Sequence, residues 1–131
     1  MLIRDSATLP HERVIDRSVL CELLHPDTTP GAPDLACSIA HAIVPAGEMT
    51  LPHVLASATE LYYILDGTGL MHIDSETQPV RPGQIVVIPP ESVQFIENTG
   101  TFDLVILCVV SPKWQAKDER LVTAPDRKGK T

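Results

Sequence analysis

Two short stretches hold the side chains best suited to chemistry. The first reads Gly47-x5-His53-x-Leu55-x4-Glu60-x6-Gly67, and the second reads Gly83-x5-Pro89-x-Glu91-x2-Gln94-x3-Asn98. An imidazole and a carboxylate can ligate a transition metal or move a proton near neutral pH. The amide oxygen of Gln94 can accept a hydrogen bond or ligate. Tyr62 follows Glu60 by two residues, and on a strand such a pair shares one face. Tyr62 therefore points where Glu60 points, either to hydrogen-bond a substrate or to fill the interior with its ring. Tyr63 points the other way.

These residues need strands to position them. Residues 18–24 (SVLCELL) read as a first strand, and residues 35–44 (LACSIAHAIV) as the next, ending at Pro45-Ala46-Gly47. Residues 60–65 (ELYYIL) are rich in aromatic and β-branched types and stop at Asp66-Gly67, a strong turn signal. Residues 70–74, 85–88, 93–97 and 102–110 continue the rhythm of short apolar runs, with 85–88 fully apolar and closed by Pro89-Pro90. Proline and glycine punctuate the runs, which is the pattern of an all-β sandwich or barrel. No internal repeat is visible.

The 131 residues fit one domain, with 44% hydrophobic residues to build a core. A formal charge of −7 argues against a nucleic-acid partner. No apolar run approaches the roughly 20 residues of a membrane helix, and residues 1–12 lack the apolar core of a secretory signal. The expected location is cytoplasmic. Cys21, Cys37 and Cys108 have no paired spacing and read as small core hydrophobes. The chain divides into an N-terminal arm with the first strand (1–34), a barrel (35–112) and a C-terminal extension (113–131). The extension is expected to be partly disordered, and it carries Arg127, Lys128 and Lys130.

The two stretches resemble the paired motifs of the cupin superfamily, Gly-x5-His-x-His-x(3,4)-Glu-x6-Gly and Gly-x5-Pro-x-Gly-x2-His-x3-Asn. Gly47, His53, Glu60, Gly67, Gly83, Pro89 and Asn98 match without a gap. The resemblance implies an all-β double-stranded β-helix, the jelly-roll barrel of cupins, in a single domain. It also implies a divalent transition metal (Fe, Mn, Ni, Cu or Zn) inside the barrel, with His53 and Glu60 as intact ligands and Gln94 offering its amide oxygen. Three positions depart from the pattern. Leu55 replaces the second histidine and cannot ligate. Gln94 replaces the last histidine, and Glu91 replaces a glycine. The resemblance to homodimeric cupins implies a homodimer, in which residues 18–24, read as an edge strand, would be covered by a second subunit.

Other candidates have plainer readings. His41 is expected to face outward, His72 to face solvent, Glu91 to be a solvated turn carboxylate, and Cys108 to be inert in an apolar strand. The expected site holds His53, Glu60, Gln94 and Tyr62, walled by Leu55, Ile64, Met71 and Ile96, and it suits a small-molecule ligand. Two functions stay open. One is a metal-dependent enzyme of oxygenase, decarboxylase or isomerase type, with Glu60 or Tyr62 moving a proton. The other is a metal-free or weakly metallated module that binds or senses a small molecule.

Overall fold

Short β-branched runs separated by turns give short strands, and the computed structural model, which describes residues 1–122, contains eleven of them. They are β1 (Glu12–Arg13), β2 (Val19–Leu24), β3 (Ser38–Val44), β4 (His53–Leu55), β5 (Thr59–Asp66) and β6 (Gly69–Ile73). These are followed by β7 (Glu76–Val80), β8 (Ile85–Ile88), β9 (Gln94–Asn98), β10 (Leu104–Ser111) and β11 (Glu119–Leu121). A six-stranded sheet runs β1-β2-β3-β10-β5-β8, and a five-stranded sheet runs β11-β4-β9-β6-β7. The architecture is a cupin-like sandwich of two sheets. Among the described residues no ladder joins them into the closed barrel that was expected.

Strand alternation decides what lies inside. On β10, Leu104, Ile106, Cys108 and Val110 are buried while their neighbours are half-buried. Leu104, Ile106 and Cys108 pack with Ala42 and Val44 of β3, Tyr62 and Ile64 of β5, and Met71 and Ile96 from the opposite sheet, whereas Val110 packs with Leu55 and Ala58. Asn98 closes the second motif. Its amide donates to the Val44 carbonyl at 2.8 Å and the Phe102 carbonyl at 2.7 Å, and its oxygen accepts the Gly100 N–H at 2.8 Å. Gly67 sits at φ +82°, where a Cβ would lie 2.6 Å from the Asp103 carbonyl oxygen. Gly47 has φ +80° but open space around it.

Four expectations need correction. Residues 85–88 are not buried throughout: β8 is an edge strand, and Ile85 and Val87 are 59% and 57% exposed. Residues 18–24 do not form an open edge. β1 pairs with β2 through Glu12↔Leu20 and Arg13↔Val19, and Arg4 donates to the Leu23 carbonyl at 2.9 Å. The edge argument for a second subunit therefore loses its premise at β2. His72 does not project freely into solvent, because its ring stacks on Phe95 with centroids 4.0 Å apart. The disorder expected in part of 113–131 does not extend to 117–121. There Asp118 accepts from the Ser57 N–H at 2.9 Å and hydroxyl at 2.6 Å, and β11 pairs with β4. A side-chain anchor of this kind leaves no apolar period to read. Arg127, Lys128 and Lys130 lie outside the described residues.

Candidate functional site

The two sheets enclose a cavity of about 660 Å³. Its walls are largely apolar, with Leu20, Ala42, Val44 and Ile106 from one sheet and Leu55 and Ile96 from the other. Asp16, His53, Glu60, Tyr62, Cys108 and Glu119 are among its ionisable lining residues, which also include Arg4, Glu12, Cys21 and Glu22. Of the expected walls, Leu55 and Ile96 line the cavity, while Ile64 and Met71 belong to the adjoining core. Leu9, Pro10, Val14 and Ile15 of the N-terminal arm also line it, a contribution the sequence reading did not foresee.

His53 opens β4 and is 2% exposed. Its Nδ1–H donates to the Leu51 carbonyl at 2.7 Å, which turns Nε2 away from the backbone. Two carboxylate oxygens face Nε2: Asp16 Oδ2 at 3.6 Å and Glu119 Oε2 at 4.0 Å. Each carboxylate is held by its other oxygen. Asp16 Oδ1 accepts from the Ser18 N–H at 2.9 Å and the Ser18 hydroxyl at 2.7 Å. Glu119 Oε1 accepts from the Trp114 indole N–H at 2.9 Å. Burial raises the Glu119 pKa, helped by the negative charge of Asp16 and opposed by His53 and the Trp114 hydrogen bond. Among the described residues, Asp16, His53 and Glu119 form the one set of three such groups whose ligand atoms all lie within 4.8 Å of one another.

Glu60 lies on β5, and burial pushes its carboxyl up to about 8. Gln94 opposes that rise, while Asp16 and Glu119 add to it. At neutral pH the group carries its proton, because removal of water penalises the charged form more than the neighbours relieve it. Burial, followed by the charge of Glu60, pushes the Tyr62 phenol and the Cys108 thiol well up. Gln94 pairs directly with His53 across the β4–β9 ladder and has no exposed surface. Its amide lies close enough to Glu60 to favour ionisation, yet neither of its polar atoms completes a hydrogen bond.

The structure thus brings His53, Glu60 and Tyr62 to one cavity, with Gln94 packed beside His53 and outside the lining. Sequence reasoning missed Asp16 and Glu119. Asp16 lies in the turn between β1 and β2, and Glu119 reaches the site only because β11 pairs with β4, so no local spacing links either to His53. Along β3, Ser38, Ile39, Ala40, Ala42 and Val44 line the cavity. His41 lies between Ala40 and Ala42, outside the lining, and its Nδ1 is 2.9 Å from Nε2 of His11. Glu91, at the motif's glycine position, adopts φ +64° and is an exposed turn residue.

Comparison with known proteins agrees with the fold. Residues 40–110 match the sequence model of the cupin domain. An uncharacterised protein of Methanocaldococcus jannaschii is 41% identical over 107 residues, covering 82% of this chain and 83% of that protein. An oxalate-binding protein of Thermotoga maritima is 33% identical over 67 residues, 51% of this chain and 55% of that protein. A crystal structure of a predicted oxalate decarboxylase from Thermotoga maritima superposes with a TM-score of 0.73 at 24% identity, covering 85% of this chain and 99% of that one. Two sheets enclosing a cavity, the paired motifs and a family match over more than half of its length agree: this chain belongs to the cupin family.

Proposed function

We propose that this cupin is a metal-dependent enzyme that acts on a small organic molecule bound between the sheets, with a divalent transition metal anchored on His53. The observation that carries this reading is the imidazole itself. Its Nδ1–H is fixed on the Leu51 carbonyl, so Nε2 faces carboxylate oxygens inside a largely apolar cavity. Metal-binding histidines are held in this way, with the second nitrogen donating to a backbone carbonyl or carboxylate. The donor chemistry fits such an ion, and the buried Gln94 amide beside it lacks a partner. When bound, the ion would act as a Lewis acid on a substrate oxygen.

The remaining roles fall to the chain. Glu60 in its neutral form donates a proton to the bound molecule, and Tyr62, two residues on, orients the same end of it. The apolar walls exclude water and strengthen these polar contacts. A small organic acid, a phenol or a sugar derivative suits the cavity. The oxalate-binding relative supports an acidic group, although a bare anion would be repelled by Asp16 and Glu119 without a cation between them.

Leu55 supports a second reading, a metal-free or weakly metallated binding module. It is buried where the motif places a ligand, and it offers apolar contact only. A screen of the metal-loaded protein for oxygen uptake, carbon dioxide release and isomerisation separates the two. Turnover lost in His53→Ala supports the enzyme. Tight ligand binding without turnover, unchanged in His53→Ala, supports the module.

The exposed strip of Tyr63, Leu65, Ile85 and Val87 on β5 and the edge strand β8 supports a homodimer through that face. Light scattering of the full chain tests it, and a monomeric mass at high concentration contradicts it. Free cysteines at 21, 37 and 108 support a reducing compartment such as the cytoplasm.

A further inference from the structure

Three atoms able to ligate a cation meet at one point of the cavity wall. His53 donates through Nδ1 to Leu51, so its other ring nitrogen faces Asp16 Oδ2 and Glu119 Oε2. At 3.6 Å and 4.0 Å neither approach is a hydrogen bond. Two carboxylates drawn together in a largely apolar cavity need positive charge beside them, which a bound cation would supply.

The spacing suits such a charge. Bonds of about 2.1 Å at tetrahedral angles hold neighbouring ligand atoms about 3.4 Å apart. The two carboxylate oxygens lie 3.6 Å and 4.0 Å from Nε2, wider than this, and all three atoms lie within 4.8 Å of one another. Each ligand is also oriented by a second contact: Leu51 for His53, Ser18 for Asp16, Trp114 for Glu119. Partners of this kind commonly set metal ligands. A further and independent sign is Gln94. It is fully buried, it pairs with His53 in register and so shares its face, and both polar atoms of its amide are unsatisfied.

We infer that this chain binds a divalent first-row transition metal through Asp16, His53 and Glu119, a set that shares only His53 with the positions the cupin motifs imply. The inference rests on the proposed metal dependence and specifies its ligands. One imidazole and two carboxylates form a mixed N/O set for a borderline divalent cation, and three protein ligands leave positions free for a substrate oxygen. Glu60 then remains unligated.

The test is cobalt(II) titration of the untagged, chelator-stripped full chain, followed by calorimetry and visible absorption. Asp16→Asn keeps the oxygen that accepts from Ser18, and Glu119→Gln keeps the one that accepts from Trp114, so both should fold as the parent does by circular dichroism. Each is expected to weaken cobalt binding by about 10–100-fold and the pair to abolish it. Glu60→Gln is expected to leave it within about threefold, well below that range. Parent-like affinity in both Asp16→Asn and Glu119→Gln, or loss of binding in Glu60→Gln with those two unaffected, overturns this ligand set while leaving metal dependence standing. Absence of cobalt binding in the parent chain overturns both. The two carboxylate variants come from separate elements, so misfolding of one leaves the other to decide.

Discussion

The indole N–H of Trp114 donates to Oε1 of Glu119 at 2.9 Å and so determines which carboxylate oxygen faces His53. Trp114 is anchored in turn by packing against Leu55, Ala58 and Val110, and by its backbone N–H, which donates to the Ser38 hydroxyl at 2.9 Å. Trp114→Phe keeps most of the packing and removes only the donor. Cobalt affinity is expected to fall by about 10-fold, the lower end for loss of a partner that orients a ligand. An unchanged affinity would show that Glu119 needs no such orientation.

Leu55 shares the face of His53, two residues on. Leu55→His places a second imidazole beside the first. Transition-metal affinity is expected to rise by at least about 10-fold, at some cost in stability because a polar ring replaces a buried leucine. Calorimetric titration reads the first effect and urea denaturation the second.

Glu60 makes stability depend on pH. Its folded-state pKa of about 8 lies above the ordinary 4.5, so the folded chain holds a proton that the unfolded chain releases. This contribution is fully present below about 4.5 and is lost as pH rises toward 8. In metal-stripped protein, the stability of the parent relative to Glu60→Gln is expected to fall by several kcal/mol across that window. Urea midpoints measured at intervals of pH check the slope, and parallel curves for the two proteins would contradict it.

Gly67 and Gly47 both have positive φ but differ in what surrounds them. Gly67→Ala adds a methyl 2.6 Å from a backbone oxygen to the strain of the left-handed conformation, whereas Gly47→Ala meets only the strain. The expected cost is about 1–2 kcal/mol at Gly47 and clearly more at Gly67. Chemical denaturation of the two variants ranks them, and equal costs would contradict the close approach.

What could be read from the chain in advance follows from how local the signal is. β5 and β10 are apolar runs bounded by turn residues, so their place was legible. The shared face of Glu60 and Tyr62 followed from their spacing on β5, whereas the uniformly apolar β10 gave no sign of which side faces inward. The spacing of His53 and Glu60 was legible too, because strand period and motif fix it within one stretch of chain. Asp16 and Glu119 were not. Their approach to His53 depends on a turn ahead of β2 and on β11 lying against β4, and neither leaves a periodic trace. The exposure of Ile85 and Val87 was hidden for a related reason. An apolar run looks the same in the middle of a sheet and at its edge, and only the strand order shows that β8 is the edge.

The most direct test of a metal anchored on His53 is elemental analysis by mass spectrometry of the purified, untagged protein, with His53→Ala prepared alongside. The account predicts close to one transition-metal ion per chain in the parent and loss of it in the variant. A parent that stays free of metal after incubation with iron, manganese, nickel and zinc, or a variant that retains the ion, would contradict it.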